Sequence, residues 1–358
     1  MVLVYVAGLI LLLYLLRMLR YGIGFLRLPH SSGRTLALPV IPITVVIPFR
    51  NEEDHLSALL GDLHKQDYPP GALEVILVDD HSTDGSVAVI GAFPVPDFPV
   101  KLISLSAEEE GKKSALMRGV EAAQGEWIIQ VDADCRVGPR FVSSHGSCVA
   151  EDRPVLISGP VRLAPLEKPF HRLEALEFLS LAVTGAGSFH HGRPVMCNGA
   201  NLSYDKEFFL RYRDQGQDGT PSGDDIFLLS RARESGRGVR FLKDREAMAD
   251  AAPAGSPGAF FAQRVRWASK APRYVHHDMK GLALLVWLTN VSLFSLLVWG
   301  FFSGVGAWVF GGAFVLKSLA DLWLLSVDVK FYDQRCLLAW FLPLASIYYI
   351  YVTVTGLV

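Results

Sequence analysis

Thirty-six consecutive residues, Gly281 to Leu316, carry no charged side chain, and another 23 from Cys336 to Val358 are equally bare. Met1 to Leu16 is likewise free of charge. Runs of this kind leave few choices of environment. A helix needs about 20 apolar residues to cross the hydrocarbon core of a bilayer, so the longest run holds two crossings, turning at Gly300, Ser303, Gly304 and Gly306. The segments expected are Gly281–Phe301, Val305–Val327 and Cys336–Val358, with Val2–Leu19 as a first span. The latter has no basic leader and no small-residue cleavage site, which favours an anchor over a removed signal peptide. Lys317 and Asp321 are placed near enough to a helix end to snorkel.

Nearly all acids and bases lie between Leu28 and Lys280. Arg17, Arg20, Arg27 and Arg34 follow the first span, Arg264, Arg266, Lys270, Arg273 and Lys280 precede the second, and Lys330 and Arg335 separate the third from the fourth. With four spans all three clusters fall on one side, which the positive-inside rule makes cytoplasmic. The expectation is a multi-pass protein of the cell (inner) membrane with its polar domain in the cytoplasm. A net charge of −2 gives no reason to expect nucleic acid. The four cysteines, Cys135, Cys148, Cys197 and Cys336, form no C-x-x-C pair and read as reduced thiols. His190-His191 reads as a polar loop pair, since no spaced third ligand accompanies it.

Within the polar segment, Leu28–Pro42 reads as a Pro-containing linker, and strand and helix patterns then alternate. The strands expected are Ile43–Ile47, Val75–Val78, Val100–Leu105 and Trp127–Val131. The helices are Glu52–Lys65, entered through Asn51, a short one after the turn Ser82–Gly85, and Lys112–Ala123. This order predicts a parallel sheet with ligands at one edge. Ala247–Pro257 reads as a loop.

Three acidic pairs punctuate this pattern: Asp79-Asp80, Asp132-Ala133-Asp134 and Asp224-Asp225. The first two follow apolar strand-like runs, so they fall at the carboxyl edge of the sheet, where open α/β folds bind ligands. Alternate residues of an extended segment share a side. One of Asp132 and Asp134 can therefore reach a hard divalent cation, Mg2+ or Mn2+, while the other takes a hydroxyl or a metal-bound water. Asp224-Asp225 precedes an apolar helix; a helix cap accounts for one acid, leaving the other for chemistry. Gln263, Arg266 and Trp267, at i, i+3, i+4, share one helix turn. Arg266 can meet a diphosphate, and Trp267 offers a flat face to a sugar ring or to the membrane interface.

The ordered set Pro48-Phe49-Arg50-Asn51-Glu52, Val78-Asp79-Asp80-His81-Ser82-Thr83-Asp84-Gly85-Ser86, Gly111-Lys112-Lys113-Ser114-Ala115-Leu116, Asp132-Ala133-Asp134, Gly223-Asp224-Asp225 and Gln263-Arg264-Val265-Arg266-Trp267 resembles the membrane-integrated family-two glycosyltransferases. These include hyaluronan, chitin and cellulose synthases and ceramide glucosyltransferases. The likeness runs from about Ile43 to Tyr274. It implies an α/β GT-A (Rossmann-like) cytoplasmic catalytic domain with one N-terminal and three C-terminal transmembrane helices. The corresponding divisions are an anchor at 1–27, a GT-A domain at 28–257, an interfacial helix at 258–280 and three spans at 281–358.

By motif position the resemblance gives Asp80 to the nucleobase, Lys112 to the nucleotide or diphosphate, Asp132 to the ribose and diphosphate, and Asp134 to the metal. Asp225 is the general base. Gln263, Arg266 and Trp267 hold the leaving diphosphate and the acceptor end, with Asp224 and Cys197 beside the acceptor. Two departures stand out. Asn198 intervenes in what relatives have as a short Cys-Gly segment, and Asp224 replaces a common Glu. The implied reaction is inverting transfer from a nucleotide sugar, UDP-linked, to a membrane lipid or a growing glycan. Four spans favour the lipid over a processive polysaccharide synthase. A non-catalytic sugar-nucleotide-binding scaffold is countered by the intact Asp134, Asp225 and Arg266. A transporter is countered by the scarcity of charge in the spans.

Overall fold

The computed structural model describes residues 1–31, 39–212 and 224–357, with Asp224 described by its backbone alone. In chain order the helices are α1 (Val2–Arg27), α2 (Glu53–His64), α3 (Ser86–Ala92), α4 (Gly111–Ala122), α5 (Phe141–Asp152), α6 (Pro169–His190), α7 (Lys206–Tyr212), α8 (Asp224–Glu234), α9 (Pro257–Ala268), α10 (His277–Gly300), α11 (Gly304–Ser326) and α12 (Phe341–Thr355). The strands are β1 (Ile43–Phe49), β2 (Leu73–Asp79), β3 (Val100–Ser104), β4 (Trp127–Val131), β5 (Arg136–Val137), β6 (Leu156–Ser158), β7 (Val161–Leu163), β8 (Asn201–Asp205), β9 (Val239–Phe241) and β10 (Ala249–Ala251). The chain divides into two compact units. One comprises 29–164 and 197–252; the other gathers 1–28, 165–196 and 253–358.

The first unit is built on a seven-stranded sheet of order β3-β2-β1-β4-β8-β6-β9. β1 and β2 are buried at every position, as near-continuous apolar strands covered on both faces must be. β1 lies parallel between β2 and β4, with Val45 facing Val75 on one side and Ile129 on the other. The wholly parallel sheet expected from the sequence is corrected here to a mixed one: β8 runs antiparallel to both β4 and β6. The strand responsible, Asn201–Asp205, follows a long helix and carries polar residues, so its pattern does not read as a strand. A second, three-stranded sheet of order β5-β10-β7 includes Ala249–Ala251, inside the segment expected to be loop. Helix α2 begins at Glu53 with Glu52 at its N-cap, not through Asn51.

A group of buried polar atoms at the start of β1 and β2 is matched. The Thr44 hydroxyl donates to Glu74 at 2.7 Å and accepts from the Gly125 amide at 2.9 Å; Lys101 pairs with Glu74 at 2.6 Å. Such pairing is what makes burial of a carboxylate tolerable.

The second unit is helical. Four of its segments, Val2–Arg27, His277–Gly300, Gly304–Ser326 and Arg335–Thr355, are long and apolar enough to cross a membrane. The last three fall within a few residues of the spans expected, and the first runs eight residues beyond the expected Leu19. Lys317 and Asp321 behave differently from expectation. They do not snorkel: Lys317 is buried, bonds Asp321 at 2.6 Å, and sits over the rings of Tyr14 and Tyr348, while the Tyr14 hydroxyl donates to Asp321 at 2.6 Å. At the fourteenth of 23 positions in α11, the lysine is enclosed by its protein neighbours instead of extending along the helix toward an end. Helices α1 and α6 meet at glycines. A Cβ on Gly187 would strike the Tyr21 carbonyl, and one on Gly24 would strike that of Gly187.

Candidate active site

Strand order reverses at β1: β2 and β3 lie to one side, β4 to the other. Ligands of open α/β sheets bind in the crevice at such a switch point, beyond the carboxyl ends of the strands. The loops gathered there carry most of the residues singled out from sequence.

The loop after β1 and the loop after β2 are laced together. The Asn51 side-chain oxygen accepts from the Thr83 amide at 2.7 Å, and the Asn51 amide donates to Ser82 Oγ at 3.0 Å. The Glu52 amide donates to Ser86 Oγ at 2.8 Å. Glu53 accepts from the Gly85 amide at 2.6 Å, and its own amide donates to Asp84 at 3.2 Å. Asn51 and His81 both adopt positive φ, 57° and 58°, the left-handed turn that Asn and His enter more readily than most residues.

Asp80 is buried, and both its oxygens lie 3.1 Å from the Gly111 amide that opens α4. A carboxylate at a helix N-terminus satisfies an otherwise open donor and meets the positive end of the dipole. Gly111 needs its φ of +89° for that approach. The next residue, Lys112, forms an ion pair with Asp132. Desolvation works against the Lys112 charge, but the attraction of Asp132, and then of Asp225, outweighs it and raises its pKa. A relay thus runs from Asp80 through the start of α4 to Lys112, Asp132 and Asp225.

Asp134 lies close by. Desolvation first, then the charges of Asp132 and Glu52, push its pKa up to about 6, against the opposing pull of His55 and Lys112. Glu52, held by His55 at 2.8 Å, is therefore a neighbour of this acid. The sequence offered Glu52 as part of a motif without giving it a role.

Among the described residues no three His, Cys, Asp or Glu side chains gather closely enough to hold a metal by themselves. The donors that are present still suit a hard cation. Asp134 is a carboxylate whose charge is resisted by two others, and a divalent ion would relieve that repulsion. Mg2+ or Mn2+ carried on a diphosphate needs only one or two protein carboxylates.

Asp225 is the second residue of α8, and its Oδ1 accepts from the Ile226 amide at 2.9 Å. Cys197 donates its thiol to the Asp225 carbonyl at 3.3 Å. Burial and the Asp225 charge push that thiol well above its ordinary pKa, so Cys197 is a neutral neighbour of Asp225 and not a nucleophile. Gly199 packs beside both: its carbonyl accepts from Gln130 Nε2 at 2.7 Å, and a Cβ there would come within 3.6 Å of Asp225 Cβ. Gln130, a polar residue inside the β4 run, was not singled out from sequence. The Asp224 side chain, assigned to the acceptor by motif position, lies outside the described residues, as does Gly223 of the same motif.

Gln263, Arg266 and Trp267 belong to the helical unit, on α9. Its N-cap Ser256 accepts from the Ala259 amide at 3.2 Å, ahead of Pro257 in the first turn. Arg266 is exposed and Gln263 and Trp267 half-buried, whereas Arg264, given no role above, is buried.

The matches to known families decide the matter of kinship. Residues 127–354 fit the profile described as Glycosyl transferase family group 2, and residues 44–174 fit Glycosyl transferase family 2. The chain belongs to glycosyl transferase family group 2. Among curated relatives it is 33% identical over 96 residues to a poly(ribitol-phosphate) beta-glucosyltransferase of Bacillus spizizenii, covering 27% of this chain and 15% of that protein. It is 39% identical over 122 residues to a dolichol-phosphate mannosyltransferase of Mycosarcoma maydis, covering 32% of this chain and 40% of that one. The chain thus spans less than half the length of either. In fold it matches the mannosyltransferase PcManGT from Pyrobaculum calidifontis, solved with GDP-Man and Mn2+, at a TM-score of 0.61 and 19% identity over 99% of this chain and 97% of that one. This family-group-2 chain therefore has a GT-A-like fold with one N-terminal and three C-terminal long apolar helices.

Proposed function

We propose that this chain is an inverting glycosyltransferase that moves a sugar from a nucleotide sugar, UDP-linked, to a membrane-associated lipid. The observation that carries the reading is the relay at the switch point, Asp80–Gly111–Lys112–Asp132, with Asp134 and Asp225 close to it. It puts a cation suited to a diphosphate and the Asp225 carboxylate near one another.

In this mechanism the Asp225 carboxylate accepts the proton of the acceptor hydroxyl as that oxygen attacks the anomeric carbon. Attack opposite the leaving diphosphate inverts the centre in one displacement. Lys112 and Arg266 stabilise charge that grows on the diphosphate, an effect that pre-placed groups supply without reorganising. Asp132 takes the ribose and diphosphate side, and Asp80 lies at the nucleobase. Gln263 and Trp267 present α9 to the diphosphate and the acceptor, while Asp224 and Cys197 flank the acceptor. Mg2+ or Mn2+, bound through Asp134, would supply Lewis-acid stabilisation of the leaving group.

The lipid acceptor is supported by four long apolar helices and by the relative named for dolichol phosphate. The three basic clusters favour a cytoplasmic catalytic unit at the inner membrane. The test is purified protein in detergent, given a panel of radiolabelled nucleotide sugars with membrane lipid extract, and the products weighed by mass spectrometry. One sugar on a lipid is the expected product, lost in excess chelator and restored by Mg2+ or Mn2+. A polymer would replace the lipid reading with a processive synthase. No transfer with any donor, though the nucleotide still binds, would leave a sugar-nucleotide-binding scaffold.

A further inference from the structure

The buried arginine of α9 is the one residue of Gln263-Arg264-Val265-Arg266-Trp267 that meets the rest of its unit through a dense set of contacts. Its Nε and Nη2 both donate to Glu177 Oε2 on α6, at 2.9 and 2.6 Å. Its Nη1 donates to the side-chain oxygen of Gln263. Its guanidinium carbon lies 4.4 Å from the centroid of the Phe260 ring and 4.4 Å from that of Trp267. Residues 260, 264 and 267 fall on one stripe of the helix, so the guanidinium is a plate between two rings.

The Phe260 end of this stack and the carboxylate that grips the guanidinium are both braced. Phe260 meets Phe170 of α6 edge-on at 5.5 Å and Tyr351 of α12 at 5.8 Å. The Tyr351 hydroxyl donates to the second oxygen of Glu177. One carboxylate thus joins α6, α9 and α12, and through Arg264 it reaches both Gln263 and Trp267.

Stability is a poor reason for such a pair. Taking a guanidinium and a carboxylate out of water costs nearly what their attraction returns, and an apolar pair of like size commonly serves as well. What an apolar pair does not supply is direction: a fork that grips one carboxylate and a flat face that fixes a ring. We propose that Glu177 and Arg264 are positioning residues for transfer, acting through Trp267 and Gln263 and setting the angle of the Trp267 ring toward the acceptor. This rests on the glycosyltransferase reading above, and it assigns the first arginine of the cluster a task distinct from the second.

The full chain in detergent, labelled with 5-fluorotryptophan, supplies a readout that needs no turnover. The Trp267 resonance is found by its loss in Trp267→Phe. Arg264→Lys and Glu177→Gln are expected to displace that resonance while the other tryptophan signals hold, and Tyr351→Phe to move it less. In turnover, Arg264→Lys should lower kcat about tenfold with the nucleotide-sugar KM within about twofold, since misplacement of a contact group acts on the reacting geometry. In a Trp267→Leu background the same change should cost almost nothing more, the non-additivity of residues that act through one another. An unmoved resonance, a displaced resonance with unchanged kcat, or fully additive losses would each overturn the proposal. A wild type that turns over no donor, with the resonance behaving as expected, would instead remove the glycosyltransferase reading on which it depends.

Discussion

The two units handle charge in opposite ways. In the sheet unit, Asp132, Asp134, Lys112 and Glu52 stand near one another at a loop edge, partly exposed, with like charges left to repel. In the helical unit, two oppositely charged pairs are drawn largely out of solvent: Glu177 with Arg264, and Asp321 with buried Lys317. Water and incoming ligands can answer an imbalance at the sheet edge. A packed apolar interior answers nothing, so a polar group buried there must bring its own partner.

The largest effect expected from breaking this contrast is at Asp225. Asp225→Asn keeps the shape of the side chain and removes its basicity, so kcat should fall by about 10² to 10⁴, the range for a general base. Binding of the nucleotide, followed by calorimetry, should persist, because the ion pair of Lys112 with Asp132 and the contact of Asp80 with the Gly111 amide remain. Turnover near that of the wild type would take the base away from Asp225.

Next comes the buried pair among the apolar helices. Lys317→Ala leaves Asp321 with only the Tyr14 hydroxyl, and should lower stability in detergent by about 3 kcal/mol or more, as loss of one partner of a buried pair does. The double variant Lys317→Met with Asp321→Leu should recover most of that loss. A thermal melt in which the single change is as mild as the double would show that the pair is wetter than its burial implies.

A smaller effect sharpens the picture inside the sheet unit, where one titratable group is buried without a counter-charge. His145 lies fully enclosed between Ser203 Oγ at 2.9 Å and Asn201 Oδ1 at 3.1 Å. Burial lowers its pKa to about 4, with the Asn201 contact working the other way. The unfolded chain, with an ordinary histidine near 6.5, therefore takes up the proton first as pH falls. Its contribution is whole above about 6.5 and drains away toward 4, to a total of about 3 kcal/mol. Melting curves between pH 7 and 4.5 should show a decline that is shallower in His145→Gln. Parallel curves for the two proteins would assign the acid loss to other groups.

Much of this was legible in sequence. Trp127–Val131 was located to the residue, and the last three long apolar helices within a few residues, because uninterrupted apolar runs leave one reading each. Asp79-Asp80 and Asp132-Ala133-Asp134 were legible because each follows such a run, and Asp224-Asp225 because it precedes one. β8 and β10 were not: both are short, held by pairing with distant strands, and nothing local to Asn201–Asp205 or Ala249–Ala251 announces those partners. Glu52 and Gln130 were hidden for a related reason. Their importance lies in what the fold sets beside them, Asp134 and Gly199, residues far away in the chain. Lys317 was misjudged because hydropathy records how a helix meets lipid and is silent on which neighbouring tyrosine or aspartate turns inward to meet it.

The glycines that join α1 to α6 bear on how such a protein could be re-engineered or inherited in parts. Gly24 and Gly187 leave no room for a methyl group on either side, so the two helices are cut to one another like the halves of a dovetail joint. The first helix is therefore no interchangeable tether. A chimera that swaps it for another protein's anchor, however hydrophobic, would put a side chain where the α6 backbone lies, unless the replacement offered a glycine in register. Any exchange of modules within the family has to carry this pair together, though 162 residues of chain separate its members (187 minus 25).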